Sequence, residues 1–318
     1  MLARVFSRPL KLALLLGIAS LSGPIGAAEP PIPPQRTEVE RVLAAARERS
    51  SERSAERPLQ IVLLADRKDH GAGEHDYPRW QSRWALLLGG AAASDAPAAN
   101  LYGPDRPDRA LPQGAPQVRV RTANGWPSPS QWNTADLIVA FCYLAWTPER
   151  IAETERYFRR GGGLVVIHSA TWTKPQPSAE VASVLGVGGF QRWRHGTVML
   201  ETTQSDHPIC LGLPAKLHLE DETYWPPTPP IDPRCVQVLA GCRERTEPGQ
   251  SDTALQPMFW TYEHNPGRVF GCVLGHYSWT FDDPYFRLWL LRGMAWAANE
   301  SPYRFDDLAL RSAAFAER

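Results

Sequence analysis

The chain has 318 residues, and its 34 Lys and Arg are matched by 34 Asp and Glu, so the formal net charge is zero. That length can bury a full core. The charge balance, with no long basic block, argues against nucleic acid as a partner, because nucleic acid is bound chiefly by neutralising phosphates. It also argues against a polybasic membrane-surface role.

Residues 1–28 read as a secretory signal peptide. Arg4, Arg8 and Lys11 form a positive start, Leu12–Leu21 is apolar but too short to span a bilayer, and Gly26, Ala27 and Ala28 offer a cleavage site. The mature protein is then expected outside the cytoplasm, secreted or periplasmic, slightly acidic and with no membrane span. Export permits disulfides, but the five cysteines are odd in number and irregularly spaced. Cys142 and Cys272 sit in apolar runs, where cysteine acts as a small hydrophobe.

Residues 29–58 read as a proline-rich linker followed by a helix, with Val39, Val42, Leu43 and Ala46 at helical spacing between Glu38 and Glu56. The main domain is expected over 59–300. Leu59–Ala65 (LQIVLLA) is a continuous apolar run suited to a strand buried on both faces. The polar stretch RKDHGAGEHDY (Arg67–Tyr77) follows, then a helix over Arg79–Leu88 and a long loop over Ala91–Pro116. QVRVRTA and Asp136–Leu144 predict strands. TPERIAETERYFRRGGG predicts a helix capped by Thr147 and stopped by glycine, and Gly163–Ala170 predicts a third strand of this half. Strand, helix, strand at these intervals predicts an α/β doubly wound, mostly parallel sheet with helices on both faces. Farther on, GTVMLET, CVQVLAGC and two strands joined by HNPG are expected, then a helix over Asp282–Ala298 and a tail over 301–318.

Ligands of open α/β sheets bind beyond the carboxyl ends of the strands. Here three apolar strands deliver histidine at that edge: His70 and His75 after the first, His168 after Gly163–Ile167, and His276 after Val269–Leu274. A shared crevice follows if these strands neighbour one another, and His70 is expected to point inward ahead of His75. The segment HLEDETYWPP adds Glu220, Asp221 and Glu222 as candidate carboxylates, with a solvated acidic loop as the alternative. Two chemistries fit. In one, His70, His75, His168 and His276, with Glu222, hold a divalent metal (zinc, manganese, iron or nickel), the carboxylate serving as a metal ligand or as general base. In the other, Ser169 is a nucleophile on the strand-to-helix elbow with His276 as its base. The positions two residues either side of Ser169 are Ile167 and Thr171, not the small residues an elbow favours. Among the other histidines, His195 has no firm assignment, His207 belongs to a turn before proline, and His218 and His264 read as surface residues.

The stretches DHGAGEHDY, GGGLVVIHSATW, DHPICLGLP, EDETYW and GRVFGCVLGHYSWTFDDPYFRLWLLRGMAWAA resemble the ThuA-like (trehalose-utilisation) family over roughly Leu59–Ala298. The H-G-x-G-E-H segment is similar to that of its secreted members. This resemblance implies a flavodoxin-like fold of the class I glutamine amidotransferase type. In that superfamily a catalytic cysteine sits on the elbow, where this chain has His168 and Ser169, so glutaminase activity is not implied. The superfamily's catalytic histidine falls at His276. The family context implies carbohydrate metabolism through keto-sugar or keto-glycoside intermediates, with isomerisation, elimination and hydrolysis all open. On that expectation Glu222, His168, His276 and Ser169 are catalytic candidates. Asp221, Tyr224, Trp172, Trp260 and Trp279 are candidates to contact a small carbohydrate, with Trp225 a further aromatic face. A non-catalytic binding module of the same fold is the competing reading.

Overall fold

The computed structural model describes residues 29–49, 57–90 and 114–316, so the expected signal peptide and most of the expected loop over Ala91–Pro116 lie outside the described residues. Among the described residues no helix is long and apolar enough to cross a membrane.

The apolar runs form the strands anticipated for them. β1 (Leu59–Ala65), β2 (Val118–Asn124), β3 (Leu137–Ala140), β4 (Gly163–Ile167) and β9 (Arg268–Cys272) pair in parallel in the order β2-β1-β3-β4-β9. β3 and β4 are apolar throughout, and β1 is so but for the half-buried Gln60, because helices cover the sheet. The order reverses at β1, the switch point where such sheets open a crevice. β3 and β4 are shorter than expected, since the chain leaves the ladder at Phe141 and His168 to build the crevice.

β9 turns back through His264–Gly267 onto β8 (Thr253–Glu263), the expected hairpin, and the sheet continues antiparallel as β8-β7-β5-β6. β7 is Val236–Arg245, β5 Phe190–Thr202 and β6 Lys216–Pro227. The acidic segment at 220–222 is therefore strand and not loop, and β5 begins well before GTVMLET.

Around the sheet lie α1 (Arg36–Arg49), α2 (Tyr77–Gly89), α3 (Pro129–Thr134), α4 (Pro148–Arg159), α5 (Ala179–Leu185) and α6 (Pro284–Ala297). Thr147 caps α4 as expected. α6 is buried on every side and not along one stripe, because the segment after it packs over its outer face. There Arg292 and Asp306 form a buried two-pronged ion pair at 3.0 and 2.9 Å. α6 also crosses β9 closely at Gly293, where a Cβ would lie 2.4 Å from the Phe270 ring. Thus the expected tail beyond residue 300 belongs to the core, and it also meets α1 through Arg47 and Asp307 at 2.6 Å. The five cysteines are unpaired. Four are buried and Cys235 is exposed.

Asp283 caps α6, accepting the Phe286 N–H at 2.9 Å. Burial pushes its carboxyl up from 3.8 to about 6, against the pull of backbone N–H groups and Arg287. The folded state thus holds this proton more tightly than the unfolded chain does. Stability therefore falls as pH rises through that window, by at most about 1.4 kcal/mol per unit. Asp283→Asn keeps the cap and removes the charge. Urea titrations from about pH 4 to about pH 7 are expected to show a flatter profile for the variant, with no loss of stability at the upper end.

Candidate metal centre

Four buried side chains converge beyond the carboxyl ends of β1, β4 and β9: His75, His168, Glu222 and His276, each offering a ligand atom within 4.8 Å of the others. His168 starts the 3-10 turn after β4, and His276 follows β9 by a short loop. His75 lies in the loop after β1, and β6 contributes Glu222. β6 is last in the hydrogen-bonded order of the sheet, yet it returns over the β9 loop. There the buried Asp221 carboxylate accepts the N–H groups of Gly275 and His276 and the Thr280 hydroxyl.

The loops after β1 and β9 are joined by backbone. The His75 N–H donates to the His276 carbonyl at 3.0 Å, Ser278 N–H donates to Gly73 at 2.7 Å, and Glu74 bridges Tyr277. Gly73 has φ +78°, the left-handed freedom this turn requires. His75 (φ 41°) and His168 (φ 51°) also have positive φ, where non-glycine residues are uncommon and strained, and such strain clusters at functional sites.

The tautomers follow from the partners. His168 Nδ1 lies 2.7 Å from the Val273 carbonyl, which only accepts, so that nitrogen carries the hydrogen. His75 Nδ1 lies 3.0 Å from the Asp69 carboxylate and 2.7 Å from the Tyr77 hydroxyl. Donation to Asp69 leaves a lone pair on His75 Nε2 as well. The two Nε2 atoms then face each other at 2.8 Å. Glu222 Oε2 lies 3.2 Å from His168 Nε2 and 3.0 Å from His276 Nδ1. Tyr224, with one proton, lies 2.9 Å from His168 Nε2 and 3.1 Å from Glu222 Oε2. Both ring nitrogens of His276 are buried without a hydrogen bond of good geometry.

Charge is distributed as a cation site needs. Burial, with the neighbouring imidazoles adding to it, pushes the His75 pKa far down and keeps that ring neutral. Burial opposes ionisation of Glu222, but the imidazoles of His168, His195 and His276 around it outweigh burial and hold the carboxyl well below its ordinary range. A neutral imidazole and an ionised carboxylate are the ligating forms.

His70 does not join this group. Its side chain is 38% exposed and pairs with Asp69 at 2.8 Å, in a more open cluster with His75. The inward residue is thus His75, because the His75 N–H is fixed to the β9 loop and His70 lies ahead of the Gly73 turn. Trp260 is fully buried and donates to Leu185 at 2.8 Å, so it is core and cannot meet a ligand. Asp221 is spent on the β9 loop and not on substrate. Trp225 faces away from the group, its strand partner being Arg192. Trp172 packs edge-on against Tyr224, and Trp279 stacks on Tyr277 while donating to the Glu220 carbonyl. Ser169 is fully buried, and among the described residues its hydroxyl meets none of the histidines. The strained elbow position belongs to His168 instead. Burial also pushes the Cys142 thiol up to about 12, which suits a hydrophobe and not a nucleophile.

Sequence reasoning left His195 unassigned. β5 places it directly opposite Glu222, with Nε2 3.4 Å from Glu222 Oε1 and its ring 4.5 Å from that of His276. It is 41% exposed, so it links the buried group to solvent. Its hydrogen bond to Glu222 raises its pKa against the effect of burial. Tyr143, after β3, adds a phenol whose ring lies 6.0 Å from that of His75. As for the remaining histidines, His207 caps a turn and His218 is exposed, both as expected. His264, expected on the surface, stacks on Phe158 and bonds to the Val184 carbonyl.

A family model described as trehalose utilisation matches residues 129–297. Among solved structures, a thua-like protein from Bacteroides uniformis is similar at 18% identity and a TM-score of 0.54, covering 79% of this chain and 98% of that one. One from Parabacteroides merdae gives 17% identity and a TM-score of 0.51, covering 77% and 91%. At these identities the likeness establishes the fold. No curated protein matches the chain.

Proposed function

The chain belongs to the ThuA (trehalose utilisation) family, and on that premise we propose that it is a metal-dependent enzyme acting on a carbohydrate, with His75, His168, Glu222 and His276 holding one divalent ion. The observation that carries this reading is the approach of the His75 and His168 Nε2 atoms to 2.8 Å. Two neutral imidazoles whose other nitrogens already donate would there oppose lone pair to lone pair. A cation ligated by both nitrogens would relieve that opposition. Three nitrogens and one carboxylate oxygen suit zinc, and also iron, nickel or manganese. Asp69, Tyr77 and the Val273 carbonyl hold the His75 and His168 rings by the nitrogen turned away from the group, as the partners of metal-binding histidines do.

When bound, such an ion supplies Lewis acidity to a carbonyl or hydroxyl oxygen of a keto-sugar or keto-glycoside. The remaining work falls to side chains. Glu222, with both oxygens engaged by imidazoles, serves better as a ligand than as a free base. Proton transfer at the mouth then falls to His195, which reaches solvent while remaining in contact with Glu222. The apolar start of the sequence supports action outside the cytoplasm.

The test is elemental analysis of the purified chain, expected to give about one divalent ion per chain that a chelator removes together with activity on keto-glycosides. A metal-free protein, fully active after chelation, refutes the reading. His195→Gln is expected to lower kcat by about 10²–10⁴-fold with metal content unchanged. An unaltered kcat removes His195 from the mechanism.

A further inference from the structure

The four buried residues of the group, His75, His168, Glu222 and His276, are at most 6% exposed. An ion arriving from water therefore gains from a first ligand nearer the surface. His70 is placed to be that ligand. Its pairing with the adjacent Asp69 would by itself be an ordinary surface contact. Here, however, one carboxylate oxygen serves two rings. Asp69 Oδ1 lies 2.8 Å from His70 Nδ1 and 3.0 Å from His75 Nδ1. A carboxylate oxygen accepts, so each Nδ1 carries a hydrogen and each Nε2 keeps a lone pair. The His75 lone pair faces the buried group, at 2.8 Å from His168 Nε2. That of His70 belongs to a side chain 38% exposed. The centroid of the His70 ring lies 3.7 Å from that of His75 and 5.7 Å from that of His276. His70 thus rests against two of the buried histidines while part of its own side chain reaches water.

We propose that Asp69 and His70 form a loading site, where His70 takes a divalent ion from solvent and passes it over the His75 ring to the buried group. The proposal rests on the metal reading above and adds the route by which the ion enters and leaves. Asp69 holds the His70 ring as an outer partner holds a ligating histidine, so the surface imidazole is oriented before any ion arrives. A group that acts only on the path changes the rates in both directions by one factor and leaves the affinity alone. His70 is therefore expected to govern how fast the site fills, and the buried group how tightly it holds.

The probe is zinc alone, mixed in stopped flow with the chelator-stripped full chain and followed with a fluorescent zinc indicator. Extraction of zinc from the loaded chain by excess chelator gives the reverse rate. His70→Ala is expected to slow loading by about 10-fold or more, within the range by which a charged or ligating entrance raises on-rates. Extraction should slow by the same factor, leaving Kd within about twofold of wild type. His195→Gln, which alters the other exposed histidine beside the group, should load at the wild-type rate. Because His70 is exposed, the Ala variant should fold normally, which circular dichroism checks. Unchanged loading in His70→Ala overturns the loading site and leaves the metal reading standing. So does a weakened Kd with an unchanged loading rate, which makes His70 a ligand and not an entrance, and so does slow loading in His195→Gln alone. A wild-type chain that takes up no zinc sinks the metal reading itself.

Discussion

His168→Ala is expected to leave the purified protein with less than about a tenth of the wild-type metal and to lower activity by more than 100-fold. Losing an outer-shell partner typically costs roughly 10–100-fold in metal affinity or activity, and loss of a direct ligand should exceed this. The reasoning is geometric. The His168 Nδ1 hydrogen is committed to the Val273 carbonyl at 2.7 Å, so Nε2 is held toward His75 and Glu222 before any ion arrives. Alanine removes that central ligand. His218→Ala is the control, since that ring is 53% exposed and pairs with Glu220 away from the group. Equal metal content in the His168 and His218 variants, each shown to be folded by circular dichroism, would sink the assignment.

Asp221→Ala is expected to be the most destabilising change near the site, by about 2–5 kcal/mol, because it strips acceptors from buried donors. The carboxylate is fully buried and receives Gly275 N–H at 3.2 Å, His276 N–H at 2.9 Å and the Thr280 hydroxyl. Alanine leaves those groups without a partner and without access to water. The loop after β9 then loses its tie to β6, and with it the position of His276. Both the denaturation midpoint and metal affinity should fall together. A variant with wild-type stability would mean that water or another acceptor reaches those N–H groups.

Much of this was legible in the sequence, residue by residue. His168 and His276 could be placed because their strands are continuous apolar runs, and a strand end in such a sheet is a crevice. His75 was ranked behind His70 because only the loop's path decides between them, and that path depends on the left-handed Gly73 and a backbone bond to His276. Glu222 was visible as chemistry but not as strand, since three consecutive acids mimic a solvated loop. The period of two separates them afterwards: Asp221 turns to the β9 loop while Glu222 turns to the histidines. His195 was missed because its role is set by register, opposite Glu222 across β5 and β6, and a single chain does not announce long-range pairing. Trp260 was misjudged as a ligand contact because a tryptophan in an apolar strand carries no mark of which layer will cover it.

The return of β6 over the β9 loop has a thermodynamic side as well. His75 and His168 are 93 residues apart in the chain, and Glu222 and His276 arrive from two further segments, one of them in the antiparallel wing. An ion bound to all four would act as a four-way cross-link that the unfolded chain lacks, closing loops whose entropy is otherwise released on opening. Each tenfold excess of ion over its dissociation constant then adds about 1.4 kcal/mol to native stability. The wing and the parallel half would thus separate more readily in a chelator than in the holo protein.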